Sequence, residues 1–396
     1  MNRLLRTLPA VVALALNLAA CEKKEETAAA PASAAAPVTA PAIEVIKIGH
    51  VGPLSGPIAH LGKDNENGAR MAVDEINAAG GLKLGEKTYK LELVAEDDKS
   101  DPKEGPITAQ KLVDAGVVAV VGHLNSGTTI PASKVYAENG VAHLTPSSTA
   151  VGLTEQGFKT TFRMVARDDK QGAVLAQFAH DTLKARAVAI IDDRTQYGQG
   201  LADEFEKAIK AANVKVVAHE FTSDKATDFN AILTKIRALK PDVIMYGGMD
   251  ATAGPMAKQI QQLNIKATLL GGDGTCSPEF IKLADKAASI LRCSMAGEAV
   301  EKLAKGEEFK AHYKAKFGTE VQLYSPYSYD AVYAIAEALK KAGKPDRAAV
   351  VAALPSVGFN GVSGAVAFDE KGDIKNGAIS IYEVKDGKLE FLSTVR

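Results

Sequence analysis

From about residue 43 the chain switches between short apolar runs and longer stretches in which apolar residues recur every three or four positions. VIKIGHVGPLSG reads as an apolar strand running into a Gly/Pro/Ser turn. In KDNENGARMAVDEINAAGG, Ala69, Ala72, Val73 and Ile76 keep helical spacing, and Gly80 and Gly81 close the element. In YKLELVAEDD, Leu91, Leu93 and Ala95 alternate with Glu92 and Val94, the period of a strand. A helix over 107–115 leads into the stretch 118–149. It contains a β-branched run, the turn GHLNSG, a helix opened near Thr129 and Pro131, a second apolar run and the hydroxyl-rich turn LTPSST. After a short apolar segment at 162–166 and the polar Arg167, Asp168 and Asp169, the pattern restarts. Helices are predicted over 171–183, 201–212, 229–239 and 253–263, alternating with the strands RAVAIID, VKVVAHEF, DVIMYGG and KATLLGG. A further helix is flanked by Cys276 and Cys293. Beyond Gly297 come helices over 309–317 and 329–342, then strands separated by Gly/Asp turns, as in hairpins.

Strands alternating with helices predict a parallel, doubly wound sheet, and two such series of comparable length predict two similar α/β lobes. The expected division is 43–166 with 298–365 for one lobe and 167–297 with 366–396 for the other, the chain crossing between them more than once. At 396 residues, 46% of them hydrophobic, the chain is long and apolar enough for two packed domains. A formal net charge of −1 gives no electrostatic reason to expect nucleic acid as a partner.

The amino terminus has a different character. Arg3 and Arg6 precede a short apolar run that ends in Leu18, Ala19, Ala20 and Cys21. The run is shorter than the ~20 residues of a spanning helix and has the shape of an export signal over 1–20. The last four residues resemble the lipobox of bacterial lipoproteins, which makes Cys21 the expected lipidation site. Residues 21–42, rich in Ala, Pro, Lys and Glu, hold almost nothing to bury and read as a tether. The expected product is a periplasmic body held to a bacterial membrane by a lipid anchor only. With Cys21 set aside, Cys276 and Cys293 form an even pair in an exported chain, hence a disulfide candidate, the alternative being two buried thiols.

Enzyme chemistry finds little support. There is no Gly-x-Ser-x-Gly elbow, since Gly122 to Gly127 reads GHLNSG, and no phosphate-cradling or dinucleotide fingerprint. His50, His60, His123 and His143 lie near strand ends without metal-ligand spacing; His123 reads as a hydrogen-bonded loop histidine rather than a general base. Asp192 and Asp193 read as a solvated strand end rather than a metal site. No cofactor and no metal are expected. What recurs is a ring of residues just beyond apolar runs: Ser126, Ser147, Thr149, Tyr197, Tyr246 and Asp273. Strands that end in small polar turns opening helices present N–H groups and hydroxyls to an anion, most simply a carboxylate, with Ser126 and Thr149 the leading candidates. Asp273, in GGDGT, suits a ligand ammonium, and Tyr197 and Tyr246 can offer ring faces to it or to an apolar side chain.

The segments GPLSGPIAHLG, ARMAVDEINAAGG, GHLNSGTTIPASKVYAENG, LTPSSTA, QYGQGLADEF, YGG and FDEKGD resemble the periplasmic branched-chain amino-acid binding proteins, the leucine/isoleucine/valine receptors of ABC importers, over about residues 46–384. The resemblance implies two Rossmann-like lobes joined by three crossovers that close on a ligand. It implies that Ser126 and Thr149 hold the ligand carboxylate. The ammonium then goes to Ser147, Thr149 and an acidic residue, here Asp273 in place of the Glu of well-known members. Leu61 stands where an aromatic residue is common, and Ser100 and Asn125 replace a disulfide found in some members. Tyr324 and Tyr327 fall where the family closes its pocket, so Leu61, Tyr246 and Tyr324 are expected to set the side-chain preference. The implied function is a monomeric solute-binding receptor that delivers an amino acid, branched-chain aliphatic first, to a membrane permease. The nearest alternative is a receptor of the same fold for an amide, urea or aromatic carboxylate. A sensory input module, which would continue into a transmembrane or signalling segment, is less expected.

Overall fold

A computed structural model describes residues 44–396; the predicted export signal, Cys21 and the tether lie outside the described residues. The first series runs β1 (Glu44–Gly52), α1 (Ala59–Ala78), β2 (Leu82–Leu84), β3 (Lys87–Asp97), α2 (Glu104–Asp114), β4 (Ala119–Gly122), α3 (Ser126–Glu138), β5 (Ala142–Thr145), α4 (Gly152–Glu155) and β6 (Thr161–Arg163). Its six strands lie in the order β2-β3-β1-β4-β5-β6, all parallel except for the β2/β3 pair. Successive residues of β4 serve opposite faces. Ala119 and Val121 pack into one core with Leu61, Ala72 and Ile335, while Val120 packs into another with Leu112, Ala132 and Tyr136. A strand buried on both faces reads as a continuous apolar run, which is why its sequence shows no alternation.

The second series comprises α5 (Asp168–Asp181), β7 (Ala187–Asp192), α6 (Gln196–Ala211), β8 (Lys215–Phe221), α7 (Asn230–Leu239), β9 (Val243–Gly247), α8 (Asp250–Gln262), β10 (Thr268–Gly271), α9 (Pro278–Ala284) and β11 (Leu291–Met295). The same division recurs in β7, whose Val188 and Ile190 pack with Leu175 and Phe205, and whose Ala189 and Ile191 pack with Leu233, Ile236 and Met256. The turns QYGQG and YGG meet here: a Cβ on Gly247 would lie 2.0 Å from the Gly198 carbonyl oxygen, so glycine lets α6 press onto the end of β9.

The chain continues through α10 (Gly306–Phe317), α11 (Ser325–Ala342), α12 (Arg347–Ala353), β12 (Gly358–Asn360) and β13 (Ala365–Ala367), then ends in β14 (Ile379–Lys385) and β15 (Lys388–Val395). Helix α11 returns to the first series and packs on α1 so closely that a Cβ on Gly68 would lie 2.2 Å from the Ser325 carbonyl oxygen. The terminal hairpin joins the second sheet, whose order is β15-β14-β11-β10-β9-β7-β8 with β14 antiparallel to β11. Two α/β lobes joined by three crossings result. At the crossings Ala166 N–H donates to the Ala296 carbonyl at 2.9 Å and Arg163 N–H to that of Gly372 at 2.9 Å, so the connecting segments lie side by side.

Several helices begin earlier than apolar spacing predicts. Helix α3 starts at Ser126, α5 at Asp168, α6 at Gln196, α8 at Asp250 and α11 at Ser325. In each, the first turn carries polar groups that do not enter a helix–sheet core, so the apolar period begins one turn late. The Cys276–Cys293 disulfide is formed, with the Cα atoms 5.4 Å apart, and joins the loop before α9 to β11.

Candidate ligand-binding site

The carboxyl ends of the strands of both sheets face a shared cleft. Leu124, Asn125, Ser126, Ser147 and Tyr324 line it from one side, and Tyr197, Met249 and Asp273 from the other. On the first side, α3 opens at Ser126 behind Asn125, whose side chain makes no cap. The free N–H groups of a first helical turn are a ready seat for an anion. The Ser126 hydroxyl oxygen accepts from Ser148 Oγ at 3.1 Å and from Ala150 N–H at 3.2 Å, which leaves its own proton to donate. Ser147 Oγ donates to the Leu124 carbonyl at 3.1 Å, and Thr149 Oγ1 is buried with no hydrogen-bond partner among the described residues.

Arg163 holds this hydroxyl turn in place. Fully buried, it donates to the carbonyls of Ser148 (3.2 Å) and Ala150 (2.8 Å) and to Thr154 Oγ1 (2.8 Å), and pairs with Asp373 at 2.7 Å. Because Asp373 belongs to the last crossing, the same guanidinium joins the site to the segment that connects the lobes.

The second side is anionic. Asp273 Oδ1 accepts from Tyr197 OH at 2.9 Å and Gln171 Nε2 at 3.0 Å, while Oδ2 accepts from Tyr324 OH at 2.7 Å. Gln171 Nε2 also donates to Asp168 Oδ1 at 3.0 Å, so one amide bridges two buried carboxyls. The other Asp168 oxygen, Oδ2, has no hydrogen-bond partner among the described residues. Burial, then the charge of Asp273, pushes the Asp168 carboxyl up to about 7. Burial likewise raises Asp273, against the hydrogen bonds from Tyr324, Gln171 and Tyr197. Two carboxylates in one water-poor space repel each other, and a cation between them relieves both effects.

The structure thus brings together Ser126, Ser147, Tyr197, Asp273 and Tyr324, with Thr149 buried two residues beyond Ser147 and joined through its carbonyl to Asp168 N–H at 2.9 Å. Two candidates lie elsewhere. Tyr246 OH meets Thr252 Oγ1 at 2.6 Å inside the second-lobe core, and Leu61 is wholly buried in the first, neither lining the cleft. Sequence reasoning missed Gln171 and Asp168 as site residues; the polar restart at 167–169 was their signal. His123 is hydrogen-bonded as expected, to Asp98 at 2.8 Å and Tyr136 at 3.0 Å. Asp192 and Asp193, expected on a solvated edge, are instead 2% exposed, tied to His219 and Thr195. Asp203, Glu206 and His219 bring ligand atoms within 4.8 Å of one another, yet His219 and Glu206 already share an ion-pair network with Asp192 and Lys210. Ser100 Oγ donates to Asn125 Oδ1 at 3.1 Å, so the two residues singled out in the sequence are in contact.

Two lobes flanking a cleft, with free helix N–H groups and hydroxyls on one wall and buried carboxyls on the other, define a receptor for a small solute. The chain belongs to the periplasmic binding protein family, whose profile matches residues 45–388; members are binding proteins of transporters, not enzymes. It is 38% identical over 344 residues to Leu/Ile/Val-binding protein homolog 1 of Brucella abortus, covering 86% of this chain and 91% of the relative. It is 34% identical to the leucine-, isoleucine-, valine-, threonine- and alanine-binding protein of Pseudomonas aeruginosa, with 86% and 90% covered. The structure of the branched-chain amino-acid transporter substrate-binding protein LivJ from Streptococcus pneumoniae, in complex with isoleucine, superposes with a TM-score of 0.82 at 30% identity, over 89% of this chain and 99% of that one. Among the described residues no helix is long and apolar enough to cross a membrane.

Proposed function

We propose that the protein captures an α-amino acid, branched-chain aliphatic first, between its lobes and delivers it to the permease of an ABC importer. The observation that carries the reading is the pair of buried carboxyls, Asp168 and Asp273, opposite the uncapped start of α3 and the hydroxyl of Ser126. A ligand with an ammonium at one end and a carboxylate at the other, one carbon apart, complements both walls at once. Ser126 and the α3 N–H groups take the carboxylate, helped by Thr149. Ser147 and Thr149 offer oxygens to the ammonium, and Asp168 and Asp273 supply its counter-charge. Tyr197 and Tyr324 fix the Asp273 carboxylate, and Leu124 and Met249 give the side chain its apolar surface.

The names of the relatives support this ligand class, and no bond is made or broken in the cycle. The lobe boundaries at 166/167, 297/298 and 365/366 belong to the same proposal, as do lipid anchoring through Cys21, a monomeric state, and a hinge motion that opens and closes the cleft. A solute without an ammonium, such as an amide, urea or aromatic carboxylate, would leave the two carboxyls unpaired. Titration of leucine into the Asp273→Ala variant tests the reading. Affinity should fall by ~2–5 kcal/mol, the range for stranding one partner of a desolvated charge pair. Unchanged affinity would remove Asp273 from the clamp.

A further inference from the structure

The lobes also meet at a polar contact that the ligand clamp does not use. His60, the second residue of α1 in the first lobe, places Nε2 2.8 Å from Oδ2 of Asp250, the first residue of α8 in the second. The partners are 190 positions apart, and Asp250 directly follows the cleft-lining Met249. The Asp250 carboxylate is completely buried. Its Oδ2 also accepts from Ser277 Oγ, and its Oδ1 has no hydrogen-bond partner among the described residues. Ser277 in turn caps α9 by accepting from Phe280 N–H at 3.0 Å, and its neighbour Cys276 is tied to Cys293. The carboxylate is therefore fixed within its own lobe by the start of α8, a hydroxyl and a disulfide-anchored loop. A buried carboxylate with one oxygen unpartnered and a single neutral donor on the other is short of positive charge. His60 is what the opposite lobe brings to it.

We propose that His60 is a positioning residue for solute retention: its imidazolium clasps Asp250 across the two lobes and favours their closed arrangement without touching the ligand. The inference rests on the receptor reading above. Burial disfavours the His60 cation, but the hydrogen bond to Asp250 and its charge, with that of Glu279, outweigh burial and the opposing Lys282, so the pKa is raised above the ordinary value. Glu279 and Lys282 on α9 are paired with each other at 2.7 Å, and on α1 Lys63 is turned to Glu66 at 2.6 Å. Among the described residues Asp250 is the one carboxylate bonded to the ring. With the closed-state pKa raised, the clasp is fully present below the ordinary histidine pKa of about 6.5 and is lost as pH rises through the closed-state value.

The test measures leucine dissociation from the full chain at pH 6 and pH 8.5, for wild type and for His60→Gln, which keeps a donor but no charge. Asp168 titrates in the same window, so the quantity read is the variant-to-wild-type ratio at each pH, in which that contribution cancels. The variant should release leucine about tenfold faster than wild type at pH 6 and within about twofold of it at pH 8.5, the size expected for one proton-linked coupling. Asp250→Asn should show the same convergence. A ratio near one at both pH values, or an equal loss at both, overturns the clasp while leaving the receptor intact. Wild-type protein that binds no amino acid at either pH removes the receptor reading and the clasp with it.

Discussion

Asp168 and Asp273 show how little of a binding site one residue explains. Asp273 was legible in the sequence because it ends an apolar run in a Gly-rich turn, and Ser126 because it opens a helix after such a run. Asp168 was not: it sits in the first turn of α5, before the apolar period of that helix begins, and only the fold carries it to Asp273 through Gln171. Tyr246 is the converse case. It lies next to the end of β9 as Tyr197 lies in the first turn of α6, but its ring packs in the second-lobe core and its hydroxyl meets Thr252, and position near a strand end alone does not specify a face. The Asp168 carboxyl, pushed up to about 7 by burial and by Asp273, makes a pH prediction. A bound ammonium favours the ionised carboxylate, so binding expels a proton wherever Asp168 is protonated in the free protein. Affinity should therefore weaken as pH falls below about 7, by up to about tenfold per pH unit for this one group, and Asp168→Asn should lose that acid limb. Calorimetric titration of leucine between pH 5.5 and 7.5 checks it; an acid limb that persists in the variant belongs to another group.

At the scale of elements, the site depends on how helix starts are held. Asp64, buried in α1, accepts backbone N–H groups from Gln322, Leu323, Tyr324 and Ser325 at 2.7–3.0 Å and so caps the start of α11. The same contacts fix Tyr324, whose phenol reaches Asp273. Asp64→Ala leaves these donors buried and unpaired; it should cost about 3 kcal/mol in chemical denaturation and weaken leucine binding as Tyr324 loosens. Stability and affinity both unchanged would remove Asp64 as the organiser of that corner. The Cys276–Cys293 bridge closes a loop with a sequence separation of 17, for which chain entropy predicts about 3 kcal/mol; the double serine variant should lose about that in urea unfolding. Strands and helices were largely legible because the central strands of the two large sheets are buried on both faces and most helices pack one apolar face. Less visible were the short β2, the antiparallel addition of β14 to β11, and the true helix starts. Pairing direction and polar first turns leave no apolar period to read.

For the whole molecule the central claim is that both ends of one ligand are read by walls belonging to different lobes. The three crossings make that arrangement possible, since Arg163 braces the hydroxyl turn against Asp373 of the last crossing while Asp168 opens the second lobe directly after the first. The duplication of α/β series announced two lobes; which residues would face each other across them depended on α11 returning to the first lobe, a long-range pairing with no local signature. A larger cavity of about 350 Å³ lies on the first lobe, bounded by Phe309, Tyr329 and Phe359, and its carboxyls Glu75 and Asp330 are bonded to Tyr329 and Ser363. The most direct measurement is isothermal titration of ligand-free protein with leucine, isoleucine and valine, beside the matching carboxylates and amides that lack the amino group. The account predicts tight binding of an aliphatic amino acid and none of its ammonium-free analogues. Binding of an analogue with silence from every amino acid would contradict it, leaving the two-lobed receptor in place and the paired carboxyls without their cation.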